Sequence, residues 1–398
     1  MEPLPFELID LILEHLDELA DLQSCARVSR AWCAPSQIHI FRTTSVTNGT
    51  QSSRLGVVLN ESPHIASMIH TLAFKVDSQL SAVCASAILR PLEHVRSIIF
   101  KNGAWTWPGD RPHELSGTLC GPLARTLARN PLTSLTLDNF SLSNADLQDL
   151  FASAPSLKHL VVLRFCSMPF DNRPLNNTAT KVSLEDLGMM LDMNSSALGE
   201  WLCHPHCIID LTRLRSLRIR YNPDYNGCCH DIISKMLKIT GQSLKELYLQ
   251  RNKGGTVDGI PWKLTDNPSL ESLTLDLTPH VMFTVQFYPP RWLQLMLPRL
   301  ARLRRLKKLV VYAIVMDCTP AAIMTADYSD WGFLASLLGS ESFPSLQLVK
   351  FLIPRPMEHA ELYEEVVASV MKTLGMKWTF ELSVVESGHP WKEDLHQA

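Results

Sequence analysis

The sequence of 398 residues lacks the features of secreted and membrane-spanning proteins. Its ten cysteines are too few for a secreted disulfide scaffold. No apolar run reaches the roughly 18 residues of a membrane span. Seven carboxylates and no basic residue precede Arg27, whereas a signal peptide begins with basic residues. We therefore predict a soluble protein with reduced thiols, in the cytoplasm, the nucleus or both, without a membrane partner.

The sequence also lacks an excess of charge of one sign. It has 37 Lys and Arg, 40 Asp and Glu, and a formal net charge of −3, which gives no general attraction to nucleic acid. Leucines interleave the one basic run, so we interpret it as the solvated face of a helix that leads into a strand and expect no nucleic-acid partner. The run comprises Arg299, Arg302, Arg304, Arg305, Lys307 and Lys308.

Motifs that carry catalysis are missing. There is no Gly-x-Ser-x-Gly elbow and no His-Glu-x-x-His pair, and the glycine-rich stretch 254–259 lacks the Gly-Lys-Ser/Thr ending of a phosphate loop. We therefore predict no enzymatic activity, no catalytic residue and no cofactor. A hydrolase with a site built from scattered residues is the alternative.

One cluster has the residue types of a zinc site. Thiolates and imidazoles bind zinc tetrahedrally, but structural sites usually contain Cys-x₂-Cys pairs, which this cluster lacks. We interpret it as a loop of buried thiols between repeats and predict no metal, with zinc as the alternative. The residues are Cys203, His204, His206 and Cys207, followed by Cys228, Cys229 and His230.

The first 45 residues, the N-terminal module, have the pattern of an amphipathic helical unit. Leu8, Ile12 and Leu16 recur at helical spacing after Pro5, which suits a first helical position. Asp21 is expected to cap a second helix, and Pro35 to end it. A unit of about 40 residues is too small to bury its apolar side chains alone, so it needs a partner or the rest of the chain.

The order of these residues resembles an F-box. The pattern is Leu4-Pro5-x-Glu7-Leu8-x-x-x-Ile12-Leu13-x-x-Leu16, then Asp21-Leu22-x-x-Cys25-x-x-Val28-Ser29-Arg30-x-Trp32 and Phe41-Arg42. The resemblance implies a three-helix module that binds the Skp-family adaptor of a cullin–RING ubiquitin ligase. The alternative is a plain helical hairpin that begins a globular domain. The residues at adaptor-contacting or module-core positions are Leu4, Pro5, Leu8, Ile12, Leu16, Leu22, Cys25, Val28 and Trp32, with Cys25 in place of a larger aliphatic residue.

The rest of the chain contains a repeat. An apolar residue, two variable residues, an apolar residue, one variable residue and a third apolar residue recur, and this alternation predicts a strand in each copy. Helical patterns such as 144–151 lie between copies. The ten copies begin at Ile69, Val95, Leu132, Leu157, Leu184, Leu214, Leu244, Leu270, Leu306 and Leu346.

This repeat resembles degenerate leucine-rich repeats. We predict an α/β repeat fold, a curved solenoid with an inner parallel sheet and outer helices, because each unit has an apolar edge that only its neighbours can cover. A doubly wound α/β domain is the alternative. The predicted divisions are the N-terminal module at 1–45, a linker at 46–64, the solenoid at 65–357, and a C-terminal cap and tail at 358–398, with aromatic inserts at 277–300 and 315–342.

The predicted strands place polar and aromatic side chains on one sheet face. If Leu217 and Ile219 face the core, the residues between and after them face the concave side. Arg and Tyr are common anchors of protein interfaces, and we predict a target-binding surface there, with solvation of an exposed sheet as the alternative. Its candidate residues are Arg218, Arg220, Tyr248, Gln250, Asp276 and Tyr312.

Together these patterns predict a substrate-recognition subunit of an SCF-type cullin–RING ubiquitin ligase. The F-box-like module would bind the Skp-family adaptor, and through it the cullin and RING subunits, while the repeats would hold a target protein. The alternative is a scaffold protein that acts outside ubiquitin transfer.

Overall fold

A computed structural model of the chain contains two compact units, Met1–Val182 and Ser183–Ala398. The residues that the structure describes are 4–16, 18–76, 82–102, 113–114, 117–164, 166–167, 181–192, 195–222, 228–251, 262–276, 300, 303–312, 336, 338, 343–354, 362, 365–366, 368–369, 372 and 379–385.

Unit 1 begins with three helices and continues as alternating strands and helices. The elements are α1 (Phe6–Glu14), α2 (Leu19–Cys25), α3 (Arg30–Arg42), β1 (Thr43–Val46), α4 (Gly49–Glu61), a 3₁₀ helix (Pro63–Met68), β2 (Thr71–Val76), α5 (Ala82–Leu89), β3 (Ser97–Asn102), β4 (His113–Glu114), α6 (Gly117–Arg129), β5 (Ser134–Asp138), β6 (Phe140–Leu142), α7 (Asn144–Ala152), β7 (His159–Leu163) and β8 (Cys166–Ser167); β9 (Val182–Ser183) follows at the boundary.

The main ladder of unit 1 is parallel and follows chain order. The strands β1, β2, β3, β5 and β7 pair successively. The register aligns Leu72, Ile98, Leu135 and Leu160 on one face, and all four side chains are buried. Each strand therefore covers the apolar edge of its neighbour, as expected of stacked repeats.

Unit 2 has the same alternation. Its elements are β10 (Asp186–Leu191), α8 (Ser196–Leu202), β11 (Ile209–Asp210), β12 (Ser216–Tyr221), α9 (Cys228–Thr240), a 3₁₀ helix (Gly241–Ser243), β13 (Glu246–Arg251), a 3₁₀ helix (Leu264–Asp266), β14 (Ser272–Asp276), β15 (Lys308–Tyr312), β16 (Leu348–Pro354) and β17 (Thr379–Val385). The strands β10, β12, β13, β14, β15, β16 and β17 form a parallel ladder in that order.

The predicted strand of each repeat copy is present. Each of the ten corresponding strands begins two residues after the first apolar residue of its copy, as β12 does after Leu214. All ten of these first residues, Ile69 to Leu346, are buried. Within each unit, successive strands add to the same side of the ladder, whereas a doubly wound sheet reverses its strand order. The α/β fold with a parallel ladder is thus consistent with stacked repeats.

The structure adds detail to the predicted linker and corrects two predictions about helices. All of helix α4 lies within the predicted linker 46–64, and the parallel ladder begins at Thr43, because β1 pairs with β2. Glu18, not Asp21, precedes α2. Pro35 lies inside α3 instead of ending a helix. The reason is that α2 ends at Cys25 and a new helix begins at Arg30, so the proline falls in the second turn of α3.

Several predicted segments lie outside the described residues. They include both aromatic inserts almost entirely, the glycine-rich stretch 254–259, and most of the predicted C-terminal cap and tail. Within that cap and tail, the strand β17 pairs with β16 and extends the ladder. None of the helices in the described ranges combines the length and hydrophobicity needed to cross a bilayer.

Candidate functional site

The N-terminal module has a small core of its own. Ile9, Leu13 and Leu22 are buried together, and Leu16, Cys25, Trp32 and Ile40 pack against them. The Nε2 atom of His39 lies 2.7 Å from Oδ1 of Asp10, which links α3 to α1. These contacts connect the three helices while burying only part of their apolar surface.

A larger set of apolar side chains in the same module is exposed, and this set is called the exposed apolar face. Their exposed fractions range from 43% for Ile12 to 68% for Val28. Leu8 and Ile12 lie four residues apart on α1 and therefore share one side of the helix. Apolar side chains exposed within one small module are candidates for a protein-interaction surface. The face comprises Leu4, Phe6, Leu8, Leu11, Ile12, Leu19 and Val28.

The nine residues named for the module divide into two groups. Leu4, Pro5, Leu8, Ile12 and Val28 are exposed, and Leu22 is buried, while Leu16, Cys25 and Trp32 pack on the core. Pro5 directly precedes α1, and its carbonyl accepts hydrogen bonds from the backbone N–H groups of Leu8 and Ile9. Three further exposed residues, Phe6, Leu11 and Leu19, are not among the nine that the motif named.

The second candidate surface is the polar row on the ladder of unit 2. In β12, the buried residues Leu217, Ile219 and Tyr221 alternate with the half-buried Arg218 and Arg220. The register places Arg218 beside Tyr248, and Tyr248 beside Thr274. Parallel pairing therefore brings together polar side chains that lie about 30 residues apart in the chain.

The next register position differs from the expectation of an exposed contact. Gln250 is only 2% exposed, and its Nε2 atom donates a 2.7 Å hydrogen bond to Oδ2 of Asp276. It therefore positions Asp276 more than it presents a surface of its own. Tyr312 packs edge-on against Tyr248 with ring centroids 6.5 Å apart. Burial and the nearby Asp276 carboxylate raise the pKa of Tyr248, so its phenol stays protonated.

In unit 1, a partly buried ion pair lies at the end of β5. Arg164 Nε and Nη2 donate to the two carboxylate oxygens of Asp138 at 2.9 and 2.7 Å. Asp138 is buried, and Arg164 has a left-handed φ of 46°, a conformation that costs energy in a non-glycine residue. No sequence motif identified this pair, because the partners are 26 residues apart.

Two thiols among the candidate zinc residues lie near backbone carbonyl oxygens. The Sγ atom of Cys203 lies 3.9 Å from the carbonyl oxygen of Ile232, and that of Cys229 lies 3.8 Å from the carbonyl oxygen of Leu191. Burial raises the pKa of both thiols to about 12. Within the described ranges, no three His, Cys, Asp or Glu residues are grouped to hold a metal ion.

His230 takes part in an aromatic cluster instead. Its ring lies 5.5 Å from those of Tyr221 and Trp262, centroid to centroid. Burial, followed by the positive charge of Arg251, lowers the pKa of His230. The imidazole is therefore neutral and packs against two larger rings, which also contact each other.

The sequence matches no protein-family model and no curated protein. Among solved structures, it is similar to a chain in a crystal structure described as the Rad7 and Elc1 complex in yeast. The identity is 14% and the TM-score 0.35, over 88% of this chain and 94% of that chain.

Proposed function

We propose that the protein is the substrate-recognition subunit of an SCF-type cullin–RING ubiquitin ligase. The exposed apolar face of its F-box-like N-terminal module binds a Skp-family adaptor, and the polar row of unit 2 binds a target protein. The chain supplies no catalytic group. It raises the effective concentration of a target lysine near a conjugating enzyme that other subunits bring.

The exposed apolar face is the observation that carries this proposal. Seven large apolar side chains are 43% to 68% exposed over a core of only three buried residues. Covering the exposed half of one such side chain is worth about 1 kcal/mol. A partner that covers most of the face therefore gains enough free energy to offset part of the cost of association.

Residue identity supports a Skp-family adaptor as this partner. The exposed Leu4, Pro5, Leu8, Ile12 and Val28 are residues of the F-box-like pattern, and they stand at positions where that pattern places adaptor contacts or core residues. The buried Leu22 supplies the core of the module. Exposure thus distinguishes the residues that an adaptor could contact from the residue that forms the core of the module.

The polar row supports the target-binding part of the proposal. Arg218, Tyr248 and Thr274 are half-buried neighbours across three strands, so their side chains are already ordered before a partner arrives. Ordered Arg and Tyr side chains lose little conformational entropy on binding. A target that brings carboxylate groups would meet Arg218 and Arg220, which are alternate residues on one face of β12.

Adaptor binding is tested with the full chain and a purified Skp-family adaptor. We expect Leu8→Glu with Ile12→Glu to abolish co-purification, because two carboxylates would be buried in an apolar interface. Val57→Glu is the matched control, since Val57 is 54% exposed on α4, outside the module. Undiminished adaptor capture by the double variant would overturn the proposal.

Target binding is tested by affinity purification from cells, followed by ubiquitination assays of the captured proteins. Arg218→Glu with Arg220→Glu should lose a target that the wild type captures and ubiquitinates, while retaining the adaptor. Arg213→Glu with Arg215→Glu is the charge-matched control, because both residues are exposed just before β12. Capture of the same targets by both double variants would exclude the polar row as the target-binding surface. Capture without any ubiquitination would favour a scaffold role.

A further inference from the structure

Three arginines line a cleft on the helical side of unit 1. Helix α5 packs against α4 on one side and α6 on the other. Between α5 and α6 lies a cleft of about 330 Å³, the arginine cleft, lined by Ser86, Arg90, Pro122, Arg125, Thr126 and Arg129. Arg125 and Arg129 are four residues apart on α6, so both guanidinium groups extend from the same side of the helix.

An apolar cleft of about 850 Å³ adjoins it between α4 and α5. Arg90 and Arg129 line both clefts, so the two clefts adjoin at these side chains. The lining of the second cleft includes Val57, Ala87 and Pro91. Val57 is 54% exposed. The two adjoining clefts, together called the groove, thus present apolar side chains at one end and three cations at the other.

The charge of the arginine cleft is not balanced within the part of the chain that the structure describes. Arg90, Arg125 and Arg129 form no ion pair with a described carboxylate. The one carboxylate that lines the adjoining cleft belongs to Glu61, at the end of α4. All three arginines are exposed, so water and salt screen much of their mutual repulsion, and a bound anion would neutralise the remainder.

Helix dipoles explain only part of this arrangement. Arg129 lies in the last turn of α6 and Arg90 directly follows α5, where a cation is favourable. Arg125 lies one turn earlier, and its Nη1 atom is 3.6 Å from the position that a Cβ atom on Gly121 would occupy. The dipole therefore gives no reason for the third arginine in the cleft.

We infer that this groove binds an acidic peptide segment of a partner protein. Carboxylate or phosphate groups of the peptide accept bidentate hydrogen bonds from Arg90, Arg125 and Arg129, which suit planar anions. An apolar side chain of the peptide packs on Val57, Ala87 and Pro91. A nucleic acid fits less well, because half of the groove is apolar and polyanion binding needs an extended basic surface.

This inference is independent of the proposed ligase role, since the groove shares no residue with the exposed apolar face or the polar row. It is tested by fluorescence anisotropy with the full chain and three labelled ten-residue peptides. Each carries one leucine and, near it, either two glutamates, two glutamines or one phosphoserine. We expect the glutamate peptide to bind about tenfold more tightly than the glutamine peptide.

Variants then locate the site. Arg125→Ala should weaken binding of the glutamate peptide about tenfold, and Arg125→Lys should weaken it less, because the charge remains without the bidentate geometry. Arg54→Ala is the control, because Arg54 is exposed on α4 and lines neither cleft. Circular dichroism checks that each variant is folded. Tighter binding of the phosphoserine peptide would identify phosphate as the preferred anion.

Two results would overturn the inference. One is equal affinity for the glutamate and glutamine peptides, and the other is unchanged affinity in both folded Arg125 variants. Leu8→Glu with Ile12→Glu should leave peptide binding intact, and Arg125→Ala should leave adaptor capture intact. The failure of one proposal is thereby distinguishable from the failure of the other.

Discussion

The N-terminal module and the strand ladders use the same residue types with opposite results. Leu8 and Leu11 on α1 are about half exposed, whereas Leu249 and Leu275 on neighbouring strands are fully buried. A strand leucine is covered because the adjacent repeat places another leucine beside it. The helical module has no second copy to cover it. Burial of the strand leucines therefore depends on repetition, whereas the unrepeated module buries a small core and leaves other apolar side chains exposed.

The first prediction tests this comparison directly. Leu249→Ala should reduce the free energy of unfolding by about 3 kcal/mol, because it removes buried contacts and leaves a cavity. Leu8→Ala, its counterpart in the N-terminal module, should change it by less than about 0.5 kcal/mol. Urea denaturation monitored by circular dichroism measures both. Equal losses would show that Leu8 is buried in the folded chain.

The second prediction extends the comparison to a polar group within a ladder. Arg164→Ala should reduce the free energy of unfolding by about 2 kcal/mol, because it leaves the buried Asp138 carboxylate without its bidentate partner. The estimate is modest because Arg164 is partly exposed, at 34% of its side chain. Arg54→Ala, on an exposed helical face, is the control in the same denaturation experiment. A loss no larger than that of Arg54→Ala would contradict it.

The third prediction concerns a side chain that joins neighbouring repeats. Asn267 is fully buried, and its Nδ2 atom donates to the carbonyl oxygens of Leu237 at 2.9 Å and Gly241 at 3.0 Å. Asn267→Ala should therefore cost about 1.5 kcal/mol in unfolding free energy, because both acceptors lose this donor. Asn60→Ala, at an exposed position of α4, should have little effect. Similar urea midpoints for the two variants would argue against a joining role.

The smallest predicted effect is a dependence on pH. Burial and Arg251 lower the pKa of His230 below its ordinary value of 6.5, so below about pH 6.5 the unfolded chain binds a proton that the folded chain does not. Stability should fall as the pH falls from that point. His230→Phe keeps an aromatic ring against Tyr221 and Trp262. Between about pH 7.5 and about pH 5.5, the free energy of unfolding of this variant should fall by up to about 1 kcal/mol less than that of the wild type.

His206→Gln provides the control for this experiment, because His206 is exposed. His70 has a pKa lowered mainly by burial and by the charge of Arg96, so part of the acid sensitivity should persist in the His230 variant. Denaturation midpoints at the two pH values, compared between variants, measure the difference. The same slope for His230→Phe and the wild type would contradict the prediction.

Local patterns predicted the parallel ladders well but not their surroundings. Ten strands could be located because each has alternating apolar residues after a buried first position, such as Leu214 before β12. The pattern missed β1, where Thr43, Thr44 and Ser45 show no apolar alternation, and pairing with β2 decides the strand. It also wrongly predicted that Pro35 ends a helix, because α2 already ends at Cys25 and Pro35 lies within the next helix, α3.

The sequence by itself determined the repeat, the strand positions and the apolar character of the N-terminal module, since these depend on spacing along the chain. Only the tertiary structure decided which apolar side chains stay exposed, that Gln250 is buried against Asp276, and that Arg90 joins Arg125 and Arg129 in one cleft. The physical reason is that exposure and charge balance depend on neighbours that lie tens of residues away. Spacing within one element does not encode those neighbours.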